Sequence, residues 1–305
     1  DAKKFLDYVM AGKLPKPGRI SLSPMLTRKG KLYGDLTVAC MDDNEFMIFG
    51  SGAAQEMHRR WFESHIGKFN LEYKNRSDDF HGLAISGPKS REVLQKVVRD
   101  NVSNEKFKFR DSRRMYVAGV PAIVNRISFT GELGYEIYVA PHYQIKLYEE
   151  LTEAGKEFNI KPFGLRALMS MRLEKNWGAW TLDYRPDFTA KETGLDAFIN
   201  WDKEFIGKKY AKEDNSSNKL TPMVVETNEI DVTYNEAVLK DDKAIGYVTS
   251  GGFAHFVNKS VAFSYLDTNK LNSGKGIQVE INGDLFNCNL IKEPLYDPSG
   301  SKMRS

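Results

Sequence analysis

The stretch Lys31-Leu32-Tyr33-Gly34-Asp35-Leu36-Thr37-Val38-Ala39-Cys40, with Glu45-Phe46-Met47-Ile48-Phe49 after it, decides the fold class. The first run alternates well enough for a strand, and the second reads as its hairpin partner. A second pair, Val120–Ser128 and Gly134–Val139, brackets Thr130-Gly131-Glu132. Hairpins pair antiparallel, so an α+β arrangement is expected rather than a doubly wound parallel sheet.

Working outward, Arg19–Ser23 reads as a short strand before the polar turn Thr27-Arg28-Lys29-Gly30, and Pro15, Pro17 and Gly18 force a loop ahead of it. Ala2, Phe5, Leu6 and Val9 recur at helical spacing, so a first helix ends near Met10–Gly12. The chain starts at Asp1 inside that helix, which leads us to expect a longer parent protein. Downstream, Ala53–His65 reads as a helix with Met57, Trp61 and Phe62 on one side. Gly82–Ser86 reads as a strand, and a helix starts at Pro88 and runs to about Val98. Tyr143–Phe158 is expected to be amphipathic, with Ile145, Tyr148, Leu151 and Ala154 as its buried stripe, and Phe163–Leu173 is another helix.

After Lys203 the pattern changes. Lys212–Lys219 is polar and reads as a linker. Six strand-like runs follow: Pro222–Glu226, Glu236–Leu239, Ala244–Thr249, Ser260–Tyr265, Ile277–Ile281 and Leu285–Ile291. Asp241-Asp242, Gly251-Gly252, Asn272-Ser273-Gly274 and Asn282-Gly283 separate them, and the last is a strong two-residue hairpin signal. Two domains are expected, residues 1–211 mixed and residues 212–305 a small antiparallel barrel or sandwich.

Composition narrows the classes. The 305 residues are 41% hydrophobic and 28% charged, ordinary values for a chain with packed cores. The net charge of +3 gives no reason to expect nucleic acid, while leaving room for a local basic patch that holds an anionic small molecule. Cys40 and Cys288 are too few for a disulfide framework, so a reducing compartment is the default. No apolar run approaches the roughly 20 residues of a membrane helix.

Most motif-like features have plain explanations. Gly50-Ser51-Gly52-Ala53-Ala54-Gln55, with Glu72 downstream, mimics a dinucleotide fingerprint. Gln55 replaces the third glycine, and the preceding strand belongs to a hairpin, so a tight strand-to-helix turn accounts for it. His58, His65, His81, His142 and His255 are scattered without metal-ligand spacing. No Gly-x-Ser-x-Gly elbow is present. Trp177, Trp180, Tyr184 and Trp201 are dense, which suits either a core or the wall of a flat-ring pocket. Asp35 and Glu136 stand inside strands, where carboxylates are depleted. Either an outward-facing position or a functional one explains them, whereas Glu132 reads as a solvated turn tip.

Around these carboxylates the sequence resembles the folate-binding C-terminal region of the dimethylglycine and sarcosine dehydrogenases. The resemblance is carried by Pro24-Met25-Leu26-Thr27 with Lys29–Val38, by Ile127–Glu136, and by Met171-Arg172-Leu173-Glu174-Lys175. It continues through Glu192-Thr193-Gly194-Leu195, Asp202–Lys208 and Val248-Thr249-Ser250-Gly251-Gly252, in order along nearly the whole chain. More distantly the chain resembles the glycine-cleavage T-protein, an aminomethyltransferase. That implies intertwined α/β units around a tetrahydrofolate channel, followed by a C-terminal antiparallel β-barrel. It also implies capture of a one-carbon unit as 5,10-methylene-tetrahydrofolate, and a flavin-dependent amine-oxidising domain or subunit as partner, since the chain has no credible dinucleotide fingerprint of its own. By resemblance, Asp35 is the acidic residue near the folate nitrogens and Glu136 grips the pterin ring. Met25, Tyr33 and Phe129 are apolar-wall candidates, and Arg172 is either a folate anchor or a partner of Glu174 or a neighbouring helix. Phe129 stands where relatives often carry tyrosine, and the resemblance starts partway through the first unit. A stand-alone aminomethyltransferase or folate-dependent demethylase is the second reading. A non-catalytic folate-binding assembly module is the third, although the loop Asp202–Lys208 lacks the cysteine of that branch. The expected compartment is the cytoplasm, or the mitochondrial matrix if the source is eukaryotic.

Overall fold

The first helix, α1 (Ala2–Val9), buries Phe5, Leu6 and Val9, the stripe that its spacing predicts. The computed structural model describes residues 1–227, 230–271 and 276–305, so the expected turn Asn272-Ser273-Gly274 lies outside the described residues. After α1 come β1 (Arg19–Leu26), β2 (Leu32–Cys40) and β3 (Phe46–Phe49), a three-stranded antiparallel sheet in that order. The Gly50–Ala54 stretch makes a tight turn into α2 (Gln55–Ile66).

The second sheet uses β4 (His81–Ser86), β5 (Ser112–Val117), β6 (Val120–Asn125) and β7 (Gly134–Val139), with α3 (Ser90–Val97) between the first two. Its order is β4-β7-β6-β5, and each pair is antiparallel. Strand β5 escapes the sequence reading because Arg113 and Arg114 interrupt its apolar alternation, although Met115 and Val117 point into the core. Strand β6 stops at Asn125 instead of Ser128, and residues 126–133 form the connection to β7.

Helix α4 (Gln144–Gly155) corrects one expectation. Ile145 is 73% exposed and Tyr148 is 49% exposed, whereas Leu147, Leu151 and Gly155 are buried. Steps of three residues drift by about 60° around a helix, so the first half of the predicted stripe lies off the true face, while Leu151 and the half-buried Ala154 reach the core. Packing against α3 and the sheet selects the face of Leu147 and Leu151.

Helix α5 (Leu165–Glu174) leads to the short helices α6 (Ala190–Thr193) and α7 (Lys208–Lys212). The C-terminal strands are β8 (Asn218–Val225), β9 (Ala237–Lys240), β10 (Lys243–Ala254), β11 (Lys259–Asp267), β12 (Ile277–Ile281) and β13 (Asp284–Leu290). They close into a barrel in the order β10-β11-β8-β13-β12-β9. At the β12–β13 turn, Asn282 and Gly283 both take positive φ, 54° and 94°, the geometry that a two-residue hairpin loop requires. Alternate residues of the strands, among them Met223, Val238, Val248, Val279 and Cys288, fill the barrel. The chain ends in α8 (Ser301–Arg304).

Helix α5 is welded to the barrel by a buried polar network. Arg172 and Asp183 are 1% and 0% exposed, and an Arg172 nitrogen lies 2.6 Å from Asp183 Oδ2. Arg172 also donates to the Trp177 carbonyl, and the backbone amide of Ala179 donates to Asp183. On the barrel side, the hydroxyls of Thr249 and Ser250 donate to the other Asp183 oxygen. Removing one member of such a pair strands the other charge without water, which costs roughly 3–5 kcal/mol. Asp183→Ala is therefore expected to lower the unfolding free energy by about that amount in denaturant titration. A loss below about 1 kcal/mol would show that the pair does not hold helix and barrel together.

Candidate active site

Strand alternation places the two notable carboxylates. On β2, Leu36 and Val38 enter the core beside α1 and α2, so Asp35 and Thr37 turn to the opposite face. On β7, Ile137 and Val139 pack against α3 and α4, so Glu136 and Tyr138 turn away from that core. The two sheets are stitched at one corner, where the amide of Ile20 donates to the Arg110 carbonyl and that of Ser112 donates to the Gly18 carbonyl. Elsewhere the Phe49 ring of β3 lies 4.6 Å from the Tyr138 ring of β7. Asp35 and Glu136 both line the resulting cavity of about 1090 Å³.

The remaining walls come from distant parts of the chain. Phe129 belongs to the β6–β7 connection, and Trp177 and Phe198 meet edge to face at 5.9 Å. Lys108 and Arg110 precede β5 and make no ion pair among the described residues. Pro294, Pro298, Met303 and Arg304 belong to a segment that returns from the barrel. That segment is tied down at three places. The Tyr296 amide donates to the Glu174 carbonyl at 3.0 Å, and its hydroxyl donates to Glu132. Lys175 donates to the Asp297 carbonyl, and the fully buried Arg126 donates to the Ser305 carbonyl. Glu132 is thus a covered anchor rather than the solvated tip expected from its turn.

Burial raises both carboxylates above their ordinary values. Asp35 has no ion-pair partner among the described residues, and burial pushes its carboxyl up to about 7, against an ordinary value of 3.8. Burial also raises Glu136, and the Tyr138 hydroxyl, donating to Glu136 Oε2 at 2.8 Å, offsets only part of that rise. One carboxyl is therefore able to exchange a proton near neutral pH. The other has one oxygen held by the tyrosine hydroxyl.

Three of the residues nominated from sequence meet in this cavity: Asp35, Phe129 and Glu136. The other three lie off its walls. Met25 pairs with Gly34, so it shares the core face of the sheet and is wholly buried beside Leu36. Tyr33 packs its ring on Trp61 at 4.5 Å. Arg172 is paired with Asp183 rather than with Glu174. Of the dense aromatics, Trp177 reaches the cavity, while Trp180 packs near His58 and Trp201 near Phe205. Sequence reading missed Tyr138, although its position two residues after Glu136 puts both on one strand face. It also missed the wall built by residues 294–304, for which no local signal exists. No group of three or more His, Cys, Asp or Glu able to hold a metal occurs among the described residues. No described helix is long and apolar enough to cross a membrane.

Comparison with known proteins agrees with this architecture. Residues 1–203 match the GCVT N-terminal domain, and residues 218–297 match the glycine cleavage T-protein C-terminal barrel domain. The chain is 35% identical over its whole length to human mitochondrial dimethylglycine dehydrogenase, of which it spans 36%. It is 31% identical to an aminomethyltransferase of Caldanaerobacter subterraneus, covering 99% of this chain and 82% of that protein. Among solved structures, the glycine cleavage system aminomethyltransferase T from Bartonella henselae superposes with a TM-score of 0.84 at 21% identity, over 97% of this chain and 81% of that one. A mixed α/β body with its carboxylate-lined cavity, a closed six-stranded antiparallel barrel and the matches to both domains lead to one assignment: the chain belongs to the glycine cleavage T-protein (aminomethyltransferase) family.

Proposed function

We propose that the cavity binds tetrahydrofolate and that the chain transfers a one-carbon unit at the iminium or formaldehyde level to it, yielding 5,10-methylene-tetrahydrofolate. In this reading the chain is the C-terminal module of a dimethylglycine or sarcosine dehydrogenase-like protein, and its partner is a flavin-dependent amine-oxidising domain or subunit. The observation that carries it is the presence of Asp35 and Glu136 on the walls of one cavity. The residues fit the ligand. Glu136 supplies an acceptor for a ring N–H and the adjacent amino group. Phe129, Trp177 and Phe198 supply faces for a flat ring. Lys108 and Arg110 supply positive charge for the carboxylates of the folate tail. The volume of about 1090 Å³ slightly exceeds the usual range of small-molecule sites, roughly 300–1,000 Å³, which leaves room for a donor beside the folate.

Bound reduced folate supplies the nitrogen nucleophile for the one-carbon unit. The chain's own contribution is orientation and proton handling. Glu136 fixes the ring, the apolar walls keep water from a reactive electrophile, and Asp35 holds or releases a proton at its carboxyl near neutral pH. The second reading is a stand-alone aminomethyltransferase or folate-dependent demethylase, favoured by the 82% coverage of the bacterial aminomethyltransferase against 36% of the dehydrogenase. Product analysis with candidate amine donors, with and without a flavoenzyme, separates the two.

Calorimetry with tetrahydrofolate is expected to show one site. Glu136→Ala weakens it by about 10- to 100-fold, the value of a charge-assisted pair of hydrogen bonds, and equal affinity would remove that role. Asp35→Ala slows formation of the methylene product by about 100-fold or more, with binding little changed. A rate within a few-fold of wild type would exclude Asp35 from proton transfer. A further expectation concerns stability. The folded-state value of Asp35 lies above its ordinary one, so between pH 3.8 and about 7 the folded chain binds more protons than the unfolded chain, and stability falls as pH rises. Asp35→Asn removes that slope. Its melting temperature exceeds that of wild type above about pH 7, and the gap closes below about pH 4. A gap independent of pH would mean that Asp35 titrates normally.

A further inference from the structure

Tyr138 stands out because three separate contacts fix it and two of them bear on the cavity. Its hydroxyl donates to Glu136 Oε2 at 2.8 Å. Its ring packs against Phe49, whose strand position lies opposite Thr37, on the same face of β2 as Asp35. The third contact is with Gly82, its direct partner on β4. A Cβ on Gly82 would lie 3.0 Å from Tyr138 Cε1, so the bare glycine is what lets the ring lie flat across the strand. An aromatic ring lying over a glycine of the neighbouring strand is a recognised cross-strand pairing.

We propose that Tyr138 is the positioning residue for Glu136, pinning one carboxylate oxygen so that the group faces the folate ring in a single orientation, with Gly82 and Phe49 holding the tyrosine in place. The inference rests on the folate reading and adds to it the origin of Glu136's orientation. A carboxylate on a two-carbon stem samples several rotamers, and ordering it on binding costs side-chain entropy. The Tyr138 hydroxyl imposes that order beforehand. Because Phe49 belongs to the first sheet and Tyr138 to the second, the same stack fixes the ring-binding carboxylate relative to the sheet that carries Asp35.

The test is calorimetric titration of tetrahydrofolate into wild type, Tyr138→Phe, Glu136→Gln, the double variant and Gly82→Ala, each checked for an unchanged thermal transition. Tyr138→Phe is expected to weaken binding about 5- to 10-fold and to raise KM for folate by the same factor with kcat unchanged. In the Glu136→Gln background, the same change is expected to have less than a twofold effect. Gly82→Ala, which touches Tyr138 and not the carboxylate, is expected to weaken binding in the same direction. Wild-type affinity in Tyr138→Phe, or full additivity with Glu136→Gln, overturns the role of Tyr138 while leaving the folate reading intact. Absence of binding by wild type overturns both.

Discussion

A carboxyl group set into a cavity wall without a cation beside it is the constraint around which this molecule is organised. Asp35 sits on a strand whose other face is core, and burial alone lifts its carboxyl to about 7. Unpaired buried carboxyls are costly, and a fold that keeps one has to make up the deficit elsewhere. The barrel interior and the two α/β cores provide that surplus. What the arrangement yields is a proton-exchanging group in the pH range where one-carbon chemistry would operate, inside a cavity with aromatic walls.

The cavity depends on packing at long range. Its floor comes from two separate sheets that meet through a backbone stitch and the Phe49–Tyr138 contact. Its side comes from residues after the barrel, which return and fasten to Glu132, Glu174, Lys175 and Arg126. The barrel is thus more than an appendage. It carries the closing segment back to the site, and the Arg172–Asp183 network fixes its angle to α5. Disturbing the weld should therefore be felt at the cavity, because Trp177, whose carbonyl Arg172 holds, is one of its walls.

The α+β class, both hairpins and the presence of six barrel strands were legible from alternation and turn chemistry, which are local properties, but Gly251-Gly252, read as a break, lies inside β10 and pairs with β11, and β8 starts at Asn218 within the expected linker. Strand β5 was not, because two arginines on its open face broke the pattern. Only the Leu151–Ala154 half of the α4 stripe was placed correctly, because two apolar sets lie on that helix and its neighbours choose Leu147 over Ile145 and Tyr148. In the candidate site, Asp35 and Glu136 were conspicuous as carboxylates within strands, and they do line one cavity. Met25, Tyr33 and Arg172 were nominated by proximity in sequence to matching motifs. Met25 lies on the core face, the register shift that skips Tyr33 breaks its alternation with Asp35 and its ring packs on Trp61, and Arg172 is taken by Asp183. Residues 294–304 illustrate the same limit, since their place on the cavity wall depends on where the barrel delivers them.

The most direct measurement of the central claim is a crystal structure of the chain grown with a stable reduced folate such as 5-formyl-tetrahydrofolate. The account predicts the pterin ring inside the cavity, with its amino edge on Glu136 and its reactive nitrogens toward Asp35. A ring bound away from both carboxylates, or a cavity that stays free of folate at saturating concentration, would contradict it.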